Sequence, residues 1–390
     1  MPGIEFVGHT EAVSCVVALP DGNFVSGSWD DTIRLWNAHT GVTLRTFSGH
    51  EMPVTSVAIL PNGNIVSGSL DNTVRLWDLN TGSAIRIFTH DAGINCIAVL
   101  PVHNIVSGSD DGTLRIWDTH SGANIRTFIG HEHTVSCVAV LPNGNIVSGS
   151  GDATVRIWNV HTGETIRTLV GHEDKILCVA ILPDGNLVSG SDDETIRVWD
   201  IQAGNTIRTL VVDQGAITGI TVLPNGNFVS SSWDTTLRLW DLQAGTILRT
   251  FEGHTSWSTC VTILPDNSIV SGSHDGTLRL WSITGETVSR VIKTNIRNIL
   301  KESSNAITYE EIKEGNRMVD FPRNEARSEY NLQHYYKNTP NIRRLTKNPF
   351  TRKLLGPRNF KSYKAHVVAK GGRTKKYKKT LHRRQRKQKK

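Results

Sequence analysis

The sequence contains little cysteine and no long hydrophobic segment. Five of its 390 residues are cysteine, and none follows Cys260, which excludes a cysteine-based zinc module from residues 261–390. No apolar run approaches the length of a membrane span, and the first residues, MPGIEFVGHTEAV, lack the basic-then-apolar order of a signal peptide. We therefore expect a soluble intracellular protein, cytoplasmic or nuclear, that is neither secreted nor bound to a membrane.

Signatures of catalysis are also missing. The sequence has no Gly-rich phosphate loop, no metal-ligand spacing and no single pair of catalytic side chains. We therefore expect no enzymatic activity, no cofactor and no bound metal.

Basic residues are scarce in the first three-quarters of the chain, and acidic residues are scarce in the rest. Residues 1–289 hold 14 Lys and Arg against 29 Asp and Glu, whereas residues 290–390 hold 29 against seven. No Asp or Glu follows Tyr330. The chain therefore consists of an acidic body and a basic tail.

What the sequence does contain is one segment that occurs seven times. The first copy is SGSWDDTIRLW, residues 26–36, and the others end at Trp77, Trp117, Trp158, Trp199, Trp240 and Trp281. The spacings between these tryptophans are 41, 40, 41, 41, 41 and 41 residues. A catalytic constellation normally occurs once in a chain, so this periodicity indicates architecture.

Each repeat reads as four short strands. In residues 130–170 the β-branched runs are 135–141, 145–150, 154–158 and 165–169, separated by turn residues such as Asn143-Gly144. Such a meander leaves both faces of a small sheet exposed, so seven copies are expected to stack radially and close into a ring. The five cysteines share one repeat position that also accepts Ser56 and Gly219, which indicates a small buried strand residue.

The repeats resemble the WD40 family of β-propellers across residues 1–289. The resemblance rests on the Gly-His start, the Asp six residues before the Trp, and the Trp-Asp or Trp-Asn end. It implies an all-β, seven-bladed propeller in which a His, a strand Ser or Thr, the turn Asp and the Trp form a hydrogen-bonded network in each blade. The matching residues include His9, Asp30, Trp36, His50, Asp71, Trp77, His131, Asp152, Trp158, His172, Asp193 and Trp199.

The same residues superficially suggest a Ser-His-Asp triad. Seven copies of a catalytic triad in one chain have no chemical purpose, whereas seven copies of a structural network are what a ring requires.

Two repeats depart from this pattern, and ring closure has two candidates. Repeat six has Asp213 where the His is expected, so its network should be incomplete and its blade looser. Repeat three has Thr89 in place of the Gly, which we expect to be a milder change. The segment GIEFVGH near the N-terminus and the segment GETVSRVI, residues 285–292, compete for the last outer strand. Family habit favours the N-terminal one.

Function is expected where the repeats differ on exposed loops. The resemblance implies that the residue before the turn Asp and the residues after the Gly-His face one rim of the central channel, where peptides often bind. Repeats six, seven, one and two place there Trp233, Trp257, His274, Trp29, Met52 and Leu70. Repeats three to five place there Asp91, Asp110, Glu132, Glu173, Asp174 and Asp192.

This arrangement predicts a rim that is half aromatic and half acidic. It would form a docking face for a protein or peptide partner that is basic and carries an apolar anchor. In the alternative interpretation the tryptophans fold over neighbouring loops and bind nothing.

The tail divides into three parts. Residues 290–337 form a connecting segment with a predicted helix at 291–302, and 338–370 form a small basic segment. Residues 371–390 are too poor in apolar side chains to fold and suit nucleic acid, an importin or other acidic protein surface, or the acidic propeller itself. The candidate contacts are Arg373, Lys375, Lys376, Lys378, Lys379, Arg383, Arg384 and Arg386. Over about ten residues, KNPFTRKLL resembles part of a U-box ubiquitin-ligase module.

These observations favour a non-enzymatic scaffold that binds a protein or peptide on the propeller rim and uses its basic tail for electrostatic tethering. Two alternatives remain. The protein could be a substrate-recognition subunit in a ubiquitin-ligase pathway, or an adaptor tethered to RNA or DNA.

Overall fold

The computed structural model describes residues 4–212 and 214–283, together with residues 319–320 and 364–365. The chain forms two units, Met1–Val291 and Ile292–Lys390. Asp213, the segment 285–292, the predicted helix at 291–302 and the basic residues of 371–390 lie outside the described residues. Within the described part of the chain, no helix is long and apolar enough to cross a membrane.

The first unit consists of seven antiparallel sheets, each with four strands in sequence order except at the closure. Blades one to three contain β2 Val13–Ala18, β3 Phe24–Ser28, β4 Ile33–Trp36, β5 Thr43–Phe47, β6 Val54–Ile59, β7 Ile65–Ser69, β8 Thr73–Trp77, β9 Ala84–Thr89, β10 Ile94–Val99, β11 Ile105–Ser109, β12 Leu114–Trp117 and β13 Asn124–Phe128. Blades four and five contain β14 Val135–Val140, β15 Ile146–Ser150, β16 Thr154–Trp158, β17 Thr165–Val170, β18 Ile176–Ile181, β19 Leu187–Ser191, β20 Thr195–Asp200 and β21 Asn205–Val211. Blades six and seven contain β22 Ile217–Val222, β23 Phe228–Ser232, β24 Leu237–Asp241, β25 Thr246–Phe251, β26 Ser258–Ile263, β27 Ile269–Ser273, β28 Thr277–Trp281 and β1 Ile4–Val7.

These sheets form a seven-bladed propeller, as predicted. The first strands of neighbouring blades pack in a closed circle, in which β2 contacts both β6 and β26. The four strands predicted within residues 130–170 are present, each within one residue of its expected bounds. In the second unit, β29 Val319–Asp320 pairs antiparallel with β30 Lys364–Ala365.

The hydrophobic core lies between blades. One cluster joins Val147, Val155 and Leu169 of blade four to Ile176 and Trp199 of blade five. The second strand of every blade is buried along its whole length because a neighbouring sheet covers each face. Adjacent sheets approach closely at the glycine of this strand, where a Cβ on Gly27 would lie 2.6 Å from Val54 Cγ1.

Arginines of the outer strands connect each blade to the next. Arg45 Nη1 donates a hydrogen bond to the Thr81 carbonyl at 2.9 Å, and equivalent bonds recur at five further junctions. In blade one, Arg45 pairs with Leu35, the residue before Trp36. At the closure the residue that pairs with the equivalent Leu280 is Ile4, so an isoleucine stands where the other blades have the arginine. The closing junction therefore has no such arginine.

The N-terminal strand closes the ring, as family habit predicts. β1 pairs antiparallel with β28, and Phe6 is 1% exposed. The Phe6 ring lies 5.1 Å from that of Phe24 and 6.1 Å from that of Trp36, both in blade one. Apolar packing of Phe6 thus joins blade seven to blade one.

We predict that Phe6→Ala lowers the free energy of unfolding by about 3–5 kcal/mol, because it removes a large buried side chain at the junction without an arginine. Val7→Ala is the matched control, since Val7 is 71% exposed on the same strand. Urea denaturation of the two variants and the parent protein measures the difference. Equal stability of the two variants would contradict the closure described above.

Candidate functional site

A chain of hydrogen bonds crosses blade one from the tryptophan to the turn aspartate. Trp36 Nε1 donates to Ser26 Oγ at 2.7 Å, and Ser26 Oγ lies 2.7 Å from His9 Nε2. His9 Nδ1 lies 2.8 Å from Asp30 Oδ2. Since the indole N–H can only donate and the carboxylate can only accept, the serine hydroxyl donates to Nε2 and the Nδ1–H donates to Asp30. We call this set of four side chains the brace.

The same brace is present in blades two, four, five and seven. The distance from His Nδ1 to the aspartate oxygen is 2.7 Å in blades two, four and five and 3.1 Å in blade seven. The members are His50, Ser67, Asp71 and Trp77; His131, Ser148, Asp152 and Trp158; His172, Ser189, Asp193 and Trp199; and His254, Ser271, Asp275 and Trp281.

Burial and hydrogen bonding shift the pKa values within the brace. Burial lowers the pKa of His9, His131 and His172 and outweighs the aspartate beside each imidazole. Burial opposes ionisation of Asp152, but hydrogen bonds from Thr154 and His131 outweigh it and hold the pKa of Asp152 at about 2. The ground state of the brace in blades one, four and five is therefore a neutral imidazole beside a carboxylate.

Blade three departs further from the pattern than the sequence comparison predicts. One residue, Thr89, separates Phe88 from His90, whereas two separate Phe47 from His50. His90 Nδ1 lies 3.7 Å from Asp111 Oδ2, and neither ring nitrogen of this buried imidazole has a hydrogen-bond partner. The missing residue places the His out of reach of its partners, so the change is more than a glycine replacement.

The neighbouring charges of blade three are rearranged as well. Arg115 forms a short ion pair with the exposed carboxylate of Asp91, which follows His90 directly. Burial, followed by the Arg115 charge, lowers the pKa of His90 to about 4. His90 is therefore neutral and unpaired inside the blade.

Blade six has a partial brace. Trp240 Nε1 still donates to Ser230 Oγ at 2.9 Å. The carboxylate of Asp234 forms a short ion pair with Arg238. The position of the expected His is Asp213, which lies outside the described residues.

At the rim, one backbone hydrogen bond in each blade joins two variable residues. The residue before the turn aspartate donates its N–H to the carbonyl at the end of the post-His triplet, with N···O distances of 2.8–3.1 Å. The pairs are Trp29 and Ala12, Leu70 and Pro53, Asp110 and Gly93, Gly151 and Thr134, Asp192 and Lys175, Trp233 and Ala216, and His274 and Trp257. Each blade thus holds two variable residues next to each other at the same end of its sheet.

The aromatic residues predicted for this rim contact one another across three blades. The rings of Trp233 and Trp257 stack with centroids 4.9 Å apart and an angle of 20° between their planes. His274 lies 5.5 Å from Trp257 and 5.0 Å from Trp29. We call these four residues the aromatic cluster. Trp29, Trp257 and Trp233 remain 49%, 46% and 36% exposed, so part of each indole is accessible to solvent.

Two further predicted residues lie in blade two, the neighbour of blade one, which carries Trp29. Met52 is exposed, and its carbonyl accepts a hydrogen bond from Ser69 Oγ at 2.8 Å. Leu70 is partly buried next to Gly93, where a Cβ on the glycine would lie 3.1 Å from Leu70 Cδ2. Blade two thus adds an aliphatic edge to the rim.

Carboxylates occupy the rim of blades three to five. Asp110 is exposed, and its Oδ1 accepts a hydrogen bond from Asn95 Nδ2 at 2.9 Å. Burial, followed by the charge of Asp174, raises the pKa of Asp192. Glu132, Glu173 and Asp174 are exposed at the same end of the blades. The predicted aromatic and acidic residues therefore lie on separate parts of one rim.

Sequence reasoning missed a cavity at the opposite end of the blades. Its volume is about 680 Å³, and it lies between blades two and three, lined by Leu60, Ile85, His103 and His120 among others. His103 adopts φ 67° at a turn position where five other blades have glycine. The sequence LPVHN, in place of LPNGN, marks this turn.

The cysteines lie where the repeat position predicts, on the first strands. Cys96, Cys137 and Cys178 are buried, while Cys15 and Cys260 are partly buried. Burial raises the pKa of Cys137 and Cys260 to about 12 and that of Cys15 to about 11. Among residues 4–212 and 214–283, no three His, Cys, Asp or Glu side chains come together as metal ligands would.

We predict that one glycine inserted between Thr89 and His90 stabilises the propeller by about 1–3 kcal/mol, because it restores the 41-residue spacing and gives the buried imidazole its partners. The same insertion between Gly130 and His131 disrupts an intact brace and is expected to destabilise by a similar amount. Urea unfolding of both variants measures the effects. If both insertions lowered the stability, the residue missing before His90 would not be a source of strain in blade three.

We also predict that stability falls as the pH is lowered from 7. The folded-state pKa values of His9, His90, His131 and His172 lie below the ordinary value near 6.5, so the unfolded chain binds protons first. The decline begins near pH 6.5 and continues for His90 to about pH 4. The brace aspartates, whose pKa values are also lowered, add a further loss below about pH 4.

Thermal unfolding midpoints measured from pH 8 to 3 test this expectation. A midpoint that stays constant or rises between pH 7 and 5 would contradict the assignment of neutral, buried imidazoles.

Comparison with known proteins identifies the repeats. The WD domain, G-beta repeat family matches seven segments, residues 2–37, 41–78, 82–118, 122–159, 163–200, 204–241 and 245–282. Together these segments cover more than half of the chain, and each contains the outer strand of one blade and the first three strands of the next.

Individual relatives match over short segments. The small ribosomal subunit protein RACK1 of Caenorhabditis elegans is 49% identical over 47 residues, which are 12% of this chain and 14% of the relative. The ribosome biogenesis protein WDR12 homolog of Nematostella vectensis is 45% identical over 47 residues, 12% and 11% of the two chains. The cross-pathway control WD-repeat protein 2 of Flammulina velutipes is 54% identical over 41 residues, 10% and 13%. The chain thus spans about an eighth of the length of each relative. With seven matched repeats and seven blades, the chain belongs to the WD40, G-beta repeat family.

Proposed function

We propose that this propeller is a non-enzymatic protein-interaction scaffold that binds a protein or peptide at the aromatic cluster. WD40 propellers are generally non-enzymatic and typically act as protein-interaction scaffolds. The observation that carries the proposal is that Trp29, His274, Trp257 and Trp233 contact one another and yet leave the three indoles between a third and a half exposed.

The cluster has the properties of an interaction hot spot. Tryptophans supply large apolar area with few rotatable bonds, so little side-chain entropy is lost when a partner covers them. The cluster is also held in place before binding, since the backbone hydrogen bonds at Trp29, Trp233 and His274 fix the loops that carry it. A contiguous exposed patch of this kind is a stronger indication of binding than scattered apolar residues.

The remaining rim residues support a partner of basic character with an apolar anchor. Met52 and Leu70 extend the apolar surface, while Asp110 and Asp192 lie among the carboxylates of blades three to five. Rim carboxylates attract a basic segment and speed its association, and the apolar anchor slows its release. The basic residues of 371–390 would add electrostatic tethering to an acidic surface or to nucleic acid.

We predict that the combined change Trp29→Ala, Trp233→Ala and Trp257→Ala leaves the propeller folded and weakens partner binding by at least about 30-fold, since one hot-spot residue alone contributes about 2 kcal/mol. Partners captured from cells by the parent protein are identified by mass spectrometry, and their dissociation constants are measured with purified components.

The matched control changes Leu44, Ile125 and Ile166 to alanine. These residues are 50%, 49% and 51% exposed on outer strands, so the control removes a comparable apolar surface away from the rim. Binding that survives in the folded triple-tryptophan variant, or is lost equally in the control, would contradict the proposed site.

A further inference from the structure

Inside the blades, this protein covers tryptophan faces with arginine. The guanidinium carbons of Arg34, Arg156 and Arg197 lie 6.0, 5.8 and 6.0 Å from the ring centroids of Trp36, Trp158 and Trp199. A cation at this distance is attracted by the negative face of the ring. The fold thus places an arginine over the ring of three of its buried tryptophans.

All arginines between residues 4 and 283 are already engaged within the propeller. Arg75, Arg115, Arg238 and Arg279 contact Asp71, Asp91, Asp234 and Glu5, the outer-strand arginines donate to carbonyls of the next blade, and the others lie over aromatic rings. The one further basic residue of this region is Lys175, which lies among the carboxylates of blade five. The propeller therefore has no spare arginine for the aromatic cluster.

The surroundings of the aromatic cluster favour a positive charge. Glu11 is exposed in the same loop as Ala12, whose carbonyl accepts the hydrogen bond from Trp29 N–H. Glu194 is exposed as well, and its Oε1 accepts a hydrogen bond from Gly215 N–H at 3.1 Å, in the loop whose Ala216 carbonyl accepts the hydrogen bond from Trp233 N–H. A cation at the aromatic cluster would thus meet π electrons in loops that also carry carboxylates, and the excess of acidic residues in 1–289 attracts it from a distance.

We propose that the aromatic cluster takes an arginine side chain of the partner, with its guanidinium stacked on the Trp233 and Trp257 pair and the apolar anchor beside it towards Met52. The inference rests on the proposed function and specifies its ligand. A guanidinium fits better than an ammonium because it is planar, weakly hydrated and stacks on indole faces while its N–H groups remain free to bind carboxylates.

The test uses four acetylated and amidated nonapeptides of Gly and Ser, each with two lysines, one leucine and one test residue. The test residue is arginine, lysine, citrulline or norleucine. Citrulline keeps the shape of arginine without its charge, and norleucine is an apolar chain without hydrogen-bonding groups. Binding to the full chain is followed by NMR from the shifts of the tryptophan indole N–H signals. A second protein carries Trp233→Leu and Trp257→Leu, which keeps an apolar surface but removes the ring faces.

The arginine peptide is expected to bind saturably and about three- to thirty-fold more tightly than the citrulline and norleucine peptides, the range that one cation–π contact supplies. The lysine peptide should fall between them. In the double leucine variant the preference for arginine should disappear, while Ile125→Ala together with Ile166→Ala should leave it unchanged.

Equal binding of the arginine and norleucine peptides, a preference for arginine that persists in the double leucine variant, or no saturable binding of the arginine peptide would overturn the inference. The capture experiment separates this failure from that of the proposed function. If the triple alanine variant loses the cellular partner although the arginine preference is absent, the rim is a docking site with an apolar ligand. If the triple alanine variant still captures the partner, both proposals are wrong.

Discussion

The structure depends on one serine hydroxyl in each blade. In blade four, Ser148 Oγ accepts the hydrogen bond from Trp158 Nε1 at 2.8 Å and lies 2.7 Å from His131 Nε2. The Ser148 hydroxyl thus links the third strand, which carries Trp158, to the loop that carries His131 and connects blade three to blade four. This site is buried. Because each member is buried, each must find its partner inside the blade, and an unmatched group costs more than a matched one contributes. The brace therefore fixes where the loop leaves the sheet, and with it the position of the rim.

Because the brace fixes the loops, the residues at the rim can differ from blade to blade. The turn aspartate and the histidine belong to the brace, whereas the residue before the aspartate and the end of the post-His triplet are joined through backbone atoms alone. Different residues therefore occupy these two places in the seven blades while the backbone hydrogen bond is kept. Blade six has one indole, Trp233, at this rim although its brace is partial, and the stacking of Trp233 on Trp257 adds a contact to blade seven.

Periodic features were predictable from sequence, and local geometry was not. The tryptophan spacing and the turn aspartate predicted seven blades because each is a short-range signal repeated seven times, and the Gly-His start, present in five repeats, supported them. The gap in blade three was visible in the 40-residue spacing between Trp77 and Trp117, but the loss of both His90 contacts follows from distances that only a folded blade defines. The ring contact of Trp29 with His274 and the stacking of Trp233 on Trp257 depend on side-chain orientations that the sequence period does not give.

The central claim is that repeated buried residues carry stability and variable rim residues carry binding. A single substitution library of residues 4–283, scored once for the amount of folded protein and once for binding to a captured partner, tests this claim most directly. Changes at Ser26, Ser67 or Ser148 should lower the amount of folded protein, whereas changes at Trp29, Trp233 or Trp257 should leave it near the parent level and reduce binding. If the rim tryptophans lowered the amount of folded protein as much as the serines do, the division between scaffold and site would be wrong.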